Sequence, residues 1–84
     1  MEQPVAVLTG GTGGLGVEVA RRLSDRGFRL AVSYLVPEHA EAFEKKIRLD
    51  EDRLLLVRAD GTDRGAVDEF FTRTVDQFGG INVL

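Results

Sequence analysis

The chain has 84 residues, 43% of them apolar and 30% charged, with one His, no Cys and a formal net charge of -3. A chain this short is at most one small domain, burying about 60–65% of the surface that its unfolded form exposes, so its stability is marginal. The acidic balance leaves no basic footprint for nucleic acid, and the missing cysteine excludes a disulfide framework, a thiolate nucleophile and a Cys-based metal site.

The start, Met1-Glu2-Gln3-Pro4, lacks the basic region of a signal peptide, and no apolar run approaches the ~20 residues of a membrane span. A membrane partner is therefore not expected, and the composition fits a cytoplasmic protein. The first element is the apolar run Val5 to Leu8, continuous rather than alternating, as in strands buried on both faces of a parallel sheet. Thr9 to Gly16 follows, reading Thr-Gly-Gly-Thr-Gly-Gly-Leu-Gly. Glycine has no Cβ, so such a turn adopts φ > 0 and lets a pyrophosphate approach main-chain N–H groups at the positive end of a helix. Leu15, Val19 and Leu23, with Ala20 alongside, predict an amphipathic helix whose Glu18, Arg21, Arg22 and Asp25 face water, ended by Gly27.

A second apolar run covers Leu30 to Val32, followed by Pro37 at the start of a helix with Ala40, Phe43 and Ile47 on its apolar face, closed by Asp50-Glu51-Asp52. Leu54 to Val57 reads as a third strand. Thr62 or Asp63 can cap a third helix whose stripe is Val67, Phe70, Phe71, Val75 and Phe78, stopped by Gly79-Gly80, and a fourth strand begins at Ile81. The order βαβαβαβ implies an α/β fold, a Rossmann-like parallel sheet with strand order 3-2-1-4, helices 1 and 2 on one face and helix 3 on the other. Residues 1–84 then form one dinucleotide-binding unit, the first half of such a domain, with a ligand crevice at the carboxyl ends of strands 1 and 4.

The glycines alone leave the register open among G-x-G-x-x-G from Gly11, T-G-x-x-x-G-x-G through Gly14 and Gly16, and T-G-x-x-G-x-x-G through Gly13 and Gly16. Their setting after a buried strand, opening a helix within a βαβ unit, favours nucleotide binding over a plain packing turn. With Leu55 to Asp63 (apolar strand, Asp, x, Thr, Asp) and Phe78-Gly79-Gly80-Ile81-Asn82-Val83-Leu84, the chain resembles the short-chain dehydrogenase/reductase family along its whole length. The turn is also similar to that of polyketide-synthase ketoreductase modules.

The resemblance implies that Gly10, Gly14 and Gly16 shape the turn and that Thr12 and Leu15 lie near the pyrophosphate. It also implies that Asp60 accepts from the adenine amino group, with the Gly61 N–H beside it. The structural alternative for Asp60 is a carboxylate that braces the turn after strand 3. Where an NAD-selecting carboxylate stands about 20 residues after the glycines, this chain has Tyr34. The hydroxyls of Ser33 and Tyr34 can serve a 2′-phosphate, so the reading favours NADP, with NAD the alternative.

The family's catalytic Ser, Tyr and Lys have no counterpart here, because Tyr34, the only tyrosine, cannot supply Tyr-x-x-x-Lys. No catalytic or metal-binding residue is therefore assigned, and His39 reads as a solvated side chain. The expectation is the amino-terminal, cofactor-binding part of an NAD(P)(H)-dependent oxidoreductase that binds nucleotide weakly and does not catalyse on its own. The alternative is a non-catalytic nucleotide-binding or interaction module that associates, as a homo-oligomer or otherwise, through an exposed strand 4 edge.

Overall fold

The structure, a computed structural model, describes residues 3–10, 14–50 and 52–82. Its elements run β1 (Val5–Leu8), α1 (Gly14–Asp25), β2 (Arg29–Tyr34), α2 (Pro37–Ile47), β3 (Leu54–Arg58) and α3 (Arg64–Phe78). The strands form a parallel sheet in the order β1-β2-β3, with Leu8 opposite Val32 and Val32 opposite Leu56.

Alternate strand residues supply two separate cores, which is why the strands read as continuous apolar runs. On one face Ala6, Leu30 and Val32 pack with Val17 and Ala20 of α1 and Phe43 of α2. On the other, Val5, Val7, Ala31, Leu55 and Val57 pack with Phe70 and Phe78 of α3. The helices thus divide as the element order predicted, α1 and α2 on one side and α3 on the other. Phe43 and Phe70, one at the centre of each core, are wholly buried, each contributing roughly 1.5–3 kcal/mol relative to exposure.

Three of the helix ends have an identifiable cause. α1 stops where Gly27, at φ 88°, allows Phe28 N–H to donate to Leu23 O (3.0 Å) and Gly27 N–H to Ser24 O (2.9 Å), pairing carbonyls that the helix leaves open. At its amino end α3 is capped by Asp63, whose Oδ1 accepts from the N–H groups of Gly65 and Ala66. α2 ends earlier than the acidic run predicted: Arg48 takes the left-handed conformation (φ 53°) and its N–H donates to Glu44 O. Asp50 instead belongs to the turn into β3, its carbonyl accepting from Arg53 and Leu54 N–H.

Two predicted apolar stripes are kept in part: Ala20 and Leu23 of α1, and Phe70, Phe71 and Phe78 of α3, pack in the cores. In α1 the buried residues are Val17 and Ala20, whereas Leu15 and Val19 are exposed. Val17 and Ala20 pack against Ala6, Leu30 and Val32 of the sheet, whereas Leu15 sits in the first turn of the helix. In α3 the buried line is Phe70, Thr74 and Phe78, and Val75 is exposed. Thr74 is tolerated there because its hydroxyl donates to Phe70 O at 2.8 Å.

No fourth strand is present among the described residues, and Val83 and Leu84 lie outside them. Asn82 nevertheless lies along the outer edge of β1, donating its N–H to Val5 O and accepting from Val5 N–H at Oδ1, both at 2.9 Å. Ile81 packs against the α3 core.

Candidate nucleotide site

Because the three strands are parallel and in register, their carboxyl ends finish side by side. Thr9-Gly10 leaves β1, Ser33-Tyr34 ends β2, and Ala59-Asp60-Gly61 follows β3. Ala59 N–H donates to Tyr34 O at 2.9 Å, extending the ladder one step beyond the last strand pair. This edge gathers the predicted positions from three stretches far apart in sequence.

Gly10 takes φ 62°, a left-handed conformation that costs other residues roughly 1–2 kcal/mol. A Cβ there would meet no atom within 4 Å, so the requirement for glycine is conformational rather than one of space. The Gly10 N–H donates to Ser33 Oγ at 2.8 Å. Ser33 is buried, so its hydroxyl lies under the turn and ties β1 to β2, instead of standing free on the rim as expected of a phosphate ligand. The periodic pattern could not reveal this bond, because it depends on the pairing of two strands 23 residues apart.

Gly14 begins α1, Gly16 lies in its first turn, and the Leu15 side chain is 80% exposed. The first turn carries no acidic residue, so nothing anionic from that turn competes for its N–H groups. Thr12, with Gly11 and Gly13, lies outside the described residues. Tyr34 is half-buried at the end of β2, and its register partner on β3 is Arg58, an exposed cation one residue beyond the predicted strand and given no role there.

Asp60 is exposed. Its Oδ1 accepts from the backbone N–H of Thr62 at 2.9 Å and from the Thr62 hydroxyl at 2.8 Å. These two donors, the backbone one first, hold its carboxyl below the usual aspartate range. The bracing role therefore exists, and it occupies one carboxylate oxygen; Oδ2 makes no hydrogen bond among the described residues. Gly61 is exposed beside it, and a Cβ there would meet nothing within 4 Å.

The edge therefore offers a left-handed glycine at Gly10, the start of a helix, a fixed carboxylate and a hydroxyl-bearing ring. Those features fit the adenosine and pyrophosphate portions of a dinucleotide. A cleft of about 390 Å³ lies elsewhere, lined by Gln3, Val5, Arg29, Phe78, Gly80 and Asn82. Its polar groups are already engaged: Arg29 donates twice to Gln3 O and lies over the Phe78 ring at 5.0 Å, and Asn82 is bound to Val5.

Known proteins bear on this edge. The family model described as short chain dehydrogenase matches residues 4–84. The chain is 39% identical over 84 residues to a 2-(R)-hydroxypropyl-CoM dehydrogenase of Xanthobacter autotrophicus, covering 95% of this chain and 32% of that protein. It is 36% identical over 80 residues to a cis-4-hydroxycyclohexanecarboxylate dehydrogenase of Sinomonas cyclohexanicum, with the same coverages. Among solved structures, levodione reductase superposes with a TM-score of 0.87 at 30% identity, over 98% of this chain and 33% of that one. A short-chain dehydrogenase/reductase from Serratia marcescens gives 0.86 at 26% identity, over 98% and 34%. The chain thus spans about a third of the length of the relatives it matches. With a match that runs through all three strands, all three helices and the glycine turn, the chain belongs to the short-chain dehydrogenase/reductase family.

Proposed function

We propose that the carboxyl edge of the sheet binds the adenosine diphosphate part of a nicotinamide dinucleotide, and that the chain serves as the cofactor-binding portion of an NAD(P)(H)-dependent oxidoreductase. The cofactor supplies the hydride, and the residues here bind and orient it. The observation that carries this reading is Gly10, held at φ 62° by Ser33 Oγ and leading into a helix whose first turn has no acidic side chain. Donors in such a turn suit a pyrophosphate, Asp60 Oδ2 suits the adenine amino group, and the absent side chain at Gly61 leaves one wall of the adenine pocket open. The relatives named as dehydrogenases and a reductase support an exchange between alcohol and carbonyl.

The preference proposed is for NADP over NAD. No carboxylate stands at Tyr34, Leu35 or Val36, so nothing at the end of β2 repels a 2′-phosphate. Alone, these residues engage only the adenosine side, so affinity is on the order of mM, about −4 kcal/mol. Titration of the chain with adenosine diphosphate, NADPH and NADH tests the reading. Saturable shifts at Gly10, Leu15, Gly16 and Asp60 are expected; shifts confined to other residues, or none, overturn it.

A further inference from the structure

We propose that Arg58 selects the 2′-phosphate of NADP, acting from β3 across the seam to Tyr34. This rests on the nucleotide reading above and adds a residue that the glycine turn and the end of β2 do not supply. Tyr34 and Arg58 are register partners in the parallel β2–β3 ladder, and paired residues in such a ladder share one face of the sheet, their strands about 4.8 Å apart. Leu30 and Leu54, then Val32 and Leu56, are the preceding pairs on that face, and all four pack in the core under α1 and α2. Tyr34 and Arg58 are the next pair, one step beyond the apolar core. The alternation along β3, with Leu55 and Val57 in the opposite core, fixes the face that Arg58 occupies.

Arg58 is exposed and makes no ion pair or hydrogen bond among the described residues. Neither Asp60, whose Oδ1 accepts from Thr62, nor Glu38, in the first turn of α2, makes an ion pair with Arg58 among the described residues. A guanidinium matches two phosphate oxygens at once, whereas a ribose hydroxyl offers it one weak acceptor. The end of β2, where a carboxylate would recognise an unphosphorylated ribose, thus has an aromatic hydroxyl and, opposite it, a cation with no partner among the described residues. That combination discriminates for the extra phosphate.

The test compares 2′,5′-ADP with 5′-ADP on the unaltered chain, on Arg58→Gln and on Arg58→Lys, at low ionic strength. The unaltered chain binds 2′,5′-ADP about tenfold more tightly than 5′-ADP, Arg58→Gln abolishes that ratio without changing 5′-ADP affinity, and Arg58→Lys retains part of it. Unchanged amide positions for Gly10 and Asn82 establish that the variants keep the fold. Equal affinity for both nucleotides in the unaltered chain, or an Arg58→Gln variant with its preference intact, overturns the role of Arg58 while leaving the nucleotide site standing. Failure of both nucleotides to bind the unaltered chain overturns the site itself.

Discussion

Ser33 and Gly10 form the contact on which the turn depends. Replacing Ser33 with alanine leaves the Gly10 N–H without its acceptor and is expected to cost about 1 kcal/mol in urea denaturation. Nucleotide affinity should fall with it, since the turn loses its tether to β2; Ser33→Thr, which keeps the hydroxyl, should restore part of both. Asp60 makes a prediction of the opposite kind, read in pH. Its carboxyl is held low by Thr62, so the braced turn contributes stability above the ordinary aspartate pKa and loses it as pH falls through the folded value. Carbon-detected NMR should place the Asp60 midpoint below that of an unstructured aspartate. Thr62→Ala removes only the hydroxyl donor and leaves the larger backbone contribution, so the midpoint should rise part of the way. Asp60 was singled out through the family resemblance, and the bracing alternative given for it is the part that its bonds to Thr62 bear out. The work of Ser33 was not legible in the sequence, because it needs the register of two strands.

Among the elements, α3 is the most informative, because its cap and its core face can be perturbed separately. Asp63→Ala removes the acceptor for two N–H groups and should cost about 1 kcal/mol. Phe70→Ala empties the centre of one core and should cost about 3–5 kcal/mol, enough to abolish a cooperative transition in a chain this small. The first loss is readable as a shift in the urea midpoint, the second as the disappearance of a cooperative urea transition. Helix type and placement followed from spacing and order, including the assignment of α3 to its own face. The burial of Val17 in place of Leu15 and Val19 did not, since all three are apolar and only packing against the sheet separates them. Likewise Thr74 was passed over for Val75, because a hydroxyl looks polar until its bond to Phe70 O is seen.

The described residues form a three-stranded parallel sheet covered on both faces, with one strand edge only partly occupied among them. Asn82 pairs with Val5, and by the alternation of the ladder the N–H and C=O of Val7 face the same edge. Such an edge is a template for another chain. Sedimentation of these 84 residues should therefore show concentration-dependent association, and a strictly monomeric profile would count against it. The order of strands 1 to 3 and the gathering of the glycine turn, Tyr34 and Asp60 at one edge were readable from the sequence, because parallel crossovers leave few arrangements. Arg58 was not, since only strand pairing brings it beside Tyr34. Dinucleotide binding at this edge is tested most directly by an amide NMR titration with adenosine diphosphate. Binding there predicts saturable shifts at Gly10, Leu15, Gly16, Tyr34, Asp60 and Gly61 at mM ligand. Shifts gathered instead around Arg29, Phe78 and Asn82, or a silent carboxyl edge, would contradict it.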